Sequence, residues 1–189
     1  MSLRIGFALT GSFCTFSKAF KAMEELVAAG HSVTPIMSFN SYDISTRFGT
    51  AEENRNRCIY LTGKDIIHTI EDAEPIGPKG YFDVLVVAPC SSNTLAKLAW
   101  GVNDTPVTMA VKSHLRNDKP VVIALSTNDA LSAAAGNIGT LLNRRHYYFC
   151  PYSQDDSVKK PHSMVADFAM LRETVEKAAE GIQIQPMVK

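Results

Sequence analysis

The chain reads as an α/β protein, a single doubly wound, Rossmann-like parallel sheet with helices on both faces, and three observations predict this. Short apolar runs of strand character alternate with segments whose apolar residues recur at helical spacing. One run, Phe82-Asp83-Val84-Leu85-Val86-Val87-Ala88, is apolar almost without break, as a central strand covered by helices on both faces must be. Ser, Thr and Asn gather just beyond four of the strands, on the side where open parallel sheets bind ligands.

The elements follow in order. Arg4 to Thr10 is a β-rich run; after the turn Gly11-Ser12, residues Phe16, Ala19, Phe20, Met23, Leu26 and Val27 repeat at helical spacing. Gly30 ends that helix, and Ser32 to Met37 gives a second strand running into Ser38, Asn40 and Ser41. Asp43 to Asn56 is polar, and Gly63 to Glu74 is either a helix capped by Asp65 or a looser excursion. The central strand Phe82 to Ala88 leads into a helix with Asn93 or Thr94 as N-cap and Leu95, Leu98 and Ala99 on one face, ending near Gly101. Val107 to Leu115 is a helix, Pro120 to Leu125 a strand, Ala130 to Leu142 a helix and Tyr147 to Cys150 a short strand. Ser163 to Ala179 is expected to be one helix.

With 189 residues, 46% of them hydrophobic, residues 1–189 are expected to form one domain with a full core. Lys and Arg number 19 against 19 Asp and Glu, and the basic residues are scattered, so neither nucleic acid nor an anionic membrane is an expected partner. Cys14, Cys58, Cys90 and Cys150 form no CxxC pair and sit near no histidine pair, which points to free thiols and to no metal site. The opening residues Met1-Ser2-Leu3-Arg4 run straight into a strand rather than a signal segment, and no apolar run approaches the ~20 residues of a membrane span. A cytoplasmic location is expected.

Four segments, Thr10 to Phe13, Ser38 to Ser41, Pro89 to Thr94 and Ser126 to Asp129, fall beyond strand ends. Their hydroxyl and amide groups suit a phosphate-bearing ligand without a basic cluster, although any one of them taken alone reads equally well as helix caps and turns. Gly11-Ser12-Phe13-Cys14 is not G-x-G-x-x-G, so classical NAD binding is disfavoured and FMN fits better.

The segment Ala88-Pro89-Cys90-Ser91-Ser92-Asn93-Thr94-Leu95-Ala96-Lys97, continuing to Gly101 and Asp104, resembles the Pro-Ala-Ser-Ala-Asn-Thr motif of a flavoprotein family. That family contains cysteine decarboxylases such as phosphopantothenoylcysteine decarboxylase, with flavin prenyltransferases as more distant relatives. Gly11-Ser12 matches its first phosphate loop, Ser38 its hydroxyl after the second strand, and Asn128 the asparagine of its Pro-x-Met-Asn motif. The resemblance covers most of the chain and implies an FMN site formed by Gly11, Ser12, Phe13, Ser38, Pro89, Ser91, Ser92, Asn93, Thr94, Ser126 and Asn128. It also implies a homo-oligomer, trimer or dodecamer, to which Trp100 and Met109 could supply an interface, although the two read equally well as core residues. A narrower likeness within the family is carried by Gly11 to Cys14, by Ala88 to Lys97, by Pro151-Tyr152-Ser153-Gln154-Asp155-Asp156 and by Lys160-Pro161-His162-Ser163-Met164. It implies a spore-forming source, a partner protein that alone brings NAD(P), and oxidation of a dihydropyridine dicarboxylate.

Two departures weaken the decarboxylase chemistry. The family's catalytic histidine stands fourteen residues before the motif's proline, and counting back from Pro89 reaches Pro75; Ser126-Thr127-Asn128 replaces Pro-x-Met-Asn. His68 could substitute only if its loop bends back. Aromatising a dihydropyridine needs a hydride acceptor, a base and cations for two carboxylates. Arg47, Lys112, Arg116, Lys159 and Lys160 are the candidate cations, each more ordinarily a solvated charge, and no residue is assigned as the base. Cys14 and Cys90 could be reactive but read more simply as packing residues, and Asp104 and Asp129 as caps or ion-pair members. Three readings remain open: one component of a flavin-dependent oxidoreductase, a non-catalytic flavin-binding module that stabilises a partner, and a decarboxylase-type lyase. The first leads.

Overall fold

The computed structural model describes residues 2–189. Five strands run parallel: β1 (Arg4–Leu9), β2 (Ser32–Met37), β3 (Val84–Cys90), β4 (Val121–Thr127) and β5 (Tyr147–Phe149), in the spatial order 2-1-3-4-5. The chain steps outward from β1 to β2 and then returns to the other side of β1 as β3, so the topological switch point lies between β1 and β3. The sheet is not wholly parallel, however. β6 (Tyr152–Ser153) and β7 (Met164–Ala166) run antiparallel to one another, and β7 pairs antiparallel with the last two residues of β4.

Alternation along each strand builds two apolar layers. On β3, Val84, Val86 and Ala88 face α1 (Phe16–Ala28) and the last helix, α8 (Leu171–Ala179), through Phe20, Met23, Leu26, Leu171 and Val175. Leu85 and Val87 face the opposite way, toward α5 (Ser92–Trp100), α6 (Pro106–Leu115) and α7 (Ala135–Leu142), through Leu95, Leu98, Val107, Val111 and Leu141. Each such large side chain, fully buried, contributes about 1.5–3 kcal/mol of transfer free energy. This is why the central strand carries no alternating polar residues.

Several boundaries differ from the expectation. A twelve-residue helix, α3 (Ala51–Thr62), occupies the polar stretch. Its apolar pattern is weak, but Thr50 and Glu53 form a reciprocal capping box at its start, and Gly63, with φ of 66°, ends it. A five-residue helix earlier in the chain, α2 (Phe39–Asp43), is capped by Ser38. Only α4 (Ile70–Ala73) forms in the next stretch, capped by Thr69 and not by Asp65, while Ile67 extends the sheet by bridging Ile36. α5 begins at the cap Ser91, earlier than Asn93 or Thr94, because β3 delivers Ser91 in extended conformation with its Oγ above the Thr94 N–H. The segment from Ser163 is a correction: it forms β7 and a short 3-10 turn before α8 starts at Leu171. Over four residues, alternation and helical spacing cannot be told apart by pattern.

One buried histidine makes stability pH-dependent. His114 on α6 is 1% exposed and donates Nε2–H to the Pro120 carbonyl at 3.1 Å. Burial pushes it down to about 4, with Lys119 adding to the fall and Pro120 and Asp83 opposing it. The unfolded chain, with a histidine near 6.5, therefore binds the proton more readily than the folded one, so stability is lost as pH falls from about 6.5 toward 4. Asp83, held well below the usual carboxylate range by its bond to Arg4, titrates under that window. The expected loss is on the order of 3 kcal/mol across the window, read as a falling urea midpoint between pH 7.5 and 4.5. His114→Gln, which keeps a donor for Pro120, should flatten that slope; an unchanged slope would place the titration elsewhere.

Candidate functional site

The site forms where β1, β3 and β4 end. Fully buried Thr10 ties the two strands flanking the switch point: its hydroxyl donates to the Pro89 carbonyl at 2.7 Å and accepts the Ser91 N–H at 2.9 Å. Ser12 reaches across to the third strand end, its Oγ donating to the Ser126 carbonyl at 2.7 Å. Thr15 locks the same corner, its hydroxyl bonding the Ser12 carbonyl at 2.9 Å and lying 3.1 Å from Ser126 Oγ. The three loops are thus fixed to one another by side chains whose residues lie far apart in sequence.

Above them opens a cleft of about 960 Å³. Its floor is neutral and rich in donors: Gly11, Ser12, Phe13, Ser91, Ser92, Asn93, Ser126 and Asn128 all line it. Ser92 is the first residue of α5, so its N–H and that of Asn93 have no intrahelical acceptor and carry the positive end of the helix dipole into the cleft. Ser92 Oγ donates to Asp129 at 2.9 Å, and the other Asp129 oxygen accepts the Thr127 hydroxyl. The Asn93 and Asn128 side chains are exposed.

Three of the expected site residues stand behind this floor rather than on it. Ser38 is buried and caps α2, accepting the Ser41 N–H at 3.3 Å. Pro89 is buried inside β3 and contributes only the carbonyl that Thr10 grips. Thr94 is buried, its hydroxyl receiving Ser91 Oγ at 3.3 Å.

Part of the cleft wall is cationic. Lys18, Arg47 and Lys160 line it, together with Asp155, which pairs with Lys160 at 2.7 Å. Of the five cations expected from sequence, Arg47 and Lys160 reach the cleft, whereas Lys112 on α6 and Arg116 just after it lie beside other hollows and Lys159 is an exposed loop residue. Lys18 is beyond the reach of sequence reasoning: a lysine on the polar face of α1 carries no signal other than solvation. Thr46, Phe48 and Ser163, also at the cleft, belong to loops whose approach no local pattern announces.

The remaining candidates resolve by burial. Cys90 is 0% exposed and burial pushes its thiol well up, and Cys58 and Cys150 are pushed up to about 12 by the same cause, so all three are packing residues. Cys14 is exposed at the cleft. Asp104 pairs with Lys97 at 2.7 Å. Pro75 sits in the 3-10 turn Glu74–Ile76, against α6. His68 follows the bridging residue Ile67 and stacks on Tyr42 at 4.0 Å, outside the lining of the cleft. Trp100 is 81% exposed, while Met109 packs on the core. Among the described residues no group of three or more His, Cys, Asp or Glu is placed to hold a metal ion, and no helix is long and apolar enough to cross a membrane.

Five parallel strands of order 2-1-3-4-5 with a donor-lined cleft at the switch point define a doubly wound α/β protein, and the chain belongs to the Flavoprotein family, whose model matches residues 1–156. Within that class it is similar to the B subunit of dipicolinate synthase from Bacillus subtilis (strain 168), with 45% identity over 185 residues, 98% of this chain and 92% of that protein. The crystal structure of the dipicolinate synthase B subunit from Bacillus halodurans C superposes with a TM-score of 0.91 at 40% identity, covering 100% of this chain and 98% of that one. Burkholderia xenovorans DmrB, solved in complex with FMN, shares the fold, with a TM-score of 0.69 at 16% identity over 94% of this chain and 96% of that one.

Proposed function

We propose that this chain is the FMN-carrying component of a dipicolinate synthase, acting in the cytoplasm during sporulation with the A subunit of that enzyme, which brings NAD(P). The observation that carries the proposal is the neutral donor floor at the β1/β3 switch point of a Flavoprotein-family chain so similar to the dipicolinate synthase B subunit.

The donor set fits the group. A phosphate is held by N–H groups and hydroxyls without a lysine cluster: the first N–H groups of α5 are free to donate, and Ser12, Ser91 and Ser92, whose hydroxyls now bond to Ser126, Thr94 and Asp129, would add theirs by turning toward the ligand. Gly11 leaves the close approach open, since a Cβ there would meet nothing nearer than Asn40 at 3.9 Å. Asn93 and Asn128 offer amides able both to donate and to accept, which suits the polar edge of a flavin ring. FMN, when bound, supplies a two-electron acceptor for the hydride that aromatisation of a dihydropyridine dicarboxylate releases.

The chain's own residues would bind, orient and exclude water; among the described residues no carboxylate or histidine at the cleft is free to act as the base. Asp155 is paired with Lys160, Asp129 accepts two hydroxyls, and no histidine lines the cleft. That observation favours a second reading, in which the chain holds cofactor or substrate while its partner removes the proton, or serves only to stabilise that partner. Decarboxylase chemistry gains no support, since Pro75 is remote from the floor. Exposed Trp100 is proposed as part of a homo-oligomer contact, trimer or dodecamer.

Purified chain, or chain reconstituted with FMN, should show the two visible absorption bands of a flavoprotein. Asn93→Ala removes an exposed amide with no hydrogen bond inside the protein, so it should weaken FMN binding about tenfold with the unfolding midpoint unchanged. Protein that stays colourless after reconstitution would overturn the reading. Dipicolinate formation by the A subunit, assayed with this chain and with its Asn93→Ala form, separates the enzyme from the stabilising module.

A further inference from the structure

Resting on that reading, we infer that Arg47 and Lys160 are the specificity-determining residues for a planar dicarboxylate, each taking one carboxylate at the cationic wall while FMN occupies the donor floor. The cleft is lined both by neutral donors and by three cations, Lys18, Arg47 and Lys160. A phosphate held by the neutral donors would leave Arg47 without an anion, while Lys160, already paired with Asp155, keeps two further ammonium N–H donors to offer.

Both residues stand on braced loops. Thr46 and Gly49 exchange two backbone hydrogen bonds, at 3.0 and 3.2 Å, forming a tight turn with Arg47 and Phe48 at its tip, and Gly49 adopts a φ of 142° that favours glycine. The Arg47 guanidinium lies 4.9 Å from the centre of the Phe48 ring. Arginine stacked in this way keeps the in-plane N–H groups of its fork available to a carboxylate, and the ring, 50% exposed, offers a flat apolar surface to a flat ligand. Among the described residues Arg47 has no carboxylate partner, and neither has Lys18.

Lys160 comes from the loop between β6 and β7. Asp156 fixes that loop by accepting the Val158 and Lys159 N–H groups at 3.1 and 2.9 Å, and the Lys160 N–H bonds the Asp156 carbonyl at 2.8 Å. Asp155 holds the ammonium in place at 2.7 Å. The match to the Flavoprotein family model ends at residue 156, four residues before Lys160.

The test titrates FMN-loaded chain, in metal-free buffer, with pyridine-2,6-dicarboxylate and with pyridine-2-carboxylate, and measures FMN affinity in parallel. Wild type should prefer the dicarboxylate by roughly tenfold or more, and Arg47→Gln and Lys160→Gln should each bring it down toward the monocarboxylate while FMN affinity holds within about twofold. Arg47→Lys and Lys160→Arg, which keep the charges, should retain the preference for the dicarboxylate and carry the test should either neutral variant misfold. Unchanged dicarboxylate affinity in both neutral variants would overturn the assignment, as would a parallel fall in FMN affinity, which would give the cations to the cofactor's phosphate. Wild type that binds FMN but neither acid overturns the subsite and leaves the flavin reading standing. Wild type that binds the dicarboxylate with the same sensitivities but no FMN supports the subsite and removes the flavin.

Discussion

Gly77→Ala lowers the stability of this protein by about 3–5 kcal/mol, the largest effect expected of any single methyl group in it. A Cβ at Gly77 would fall inside the carbonyl of Ser113 and within 2.8 Å of the Ser113 Oγ, and the carbonyl belongs to the backbone of α6, which cannot rotate away. The contact is close because the turn after α4 is sewn to α6. The Gly77 N–H donates to Ser113 Oγ at 2.8 Å, Asn117 donates to the Gly77 carbonyl at 2.7 Å, and Ser113 Oγ donates to the Glu74 carbonyl at 2.5 Å. Separating the two backbones strains all three bonds. Against a total stability of roughly 5–15 kcal/mol, the variant should melt about 10 °C lower or more. Gly80→Ala is the matched control: its φ of 58° costs a side chain about 1 kcal/mol, but no heavy atom lies within 4 Å of the added Cβ. Equal midpoints for the two variants would show that α6 yields freely.

Thr10→Val should cost about 2–4 kcal/mol and at least tenfold in FMN affinity, with almost no change in side-chain volume. Valine fills the same space but leaves the Pro89 carbonyl and the Ser91 N–H without partners at a position that is 0% exposed. Ser91 is also the cap of α5, so its displacement moves the N–H groups proposed to face the phosphate. Thr10→Ser keeps the hydroxyl and should recover most of the affinity. Urea unfolding and FMN titration on the three proteins test this; wild-type FMN affinity in Thr10→Val would detach the floor from the bond between the strands.

Much of the fold is legible because it is written in local patterns. The bounds of β2 and the central place of β3 follow from sequence, since apolar runs between turn signals admit few other arrangements. The donor segments are legible for the same reason: strand ends in a parallel sheet are where loops converge, and eight of the expected residues do line the cleft. Ser38, Pro89 and Thr94 fall behind the floor because a motif shows which residues are near one another, not which way they point. α3 escapes a pattern-based reading because its apolar spacing is faint, though Thr50 and Glu53 mark its start. The cationic wall is least legible. Lys18, Arg47 and Lys160 come from three separate segments, and only the packing of α1, the 46–49 turn and the β6–β7 loop brings them to one place.

The antiparallel return of the chain has a bearing on how freely that wall can change. One edge of β4 is shared: its first residues pair with β5, its last two with β7. Without β7, the backbone of Ser126 and Thr127 would end as an open edge, a template for pairing with another molecule. β7 closes it through main-chain hydrogen bonds, which depend little on the side chains carried by the loop before it. The residues between β6 and β7 can therefore be exchanged for others without exposing the edge to aggregation. If that loop selects the substrate as proposed, the selection is open to revision while the strand ends beneath it stay fixed.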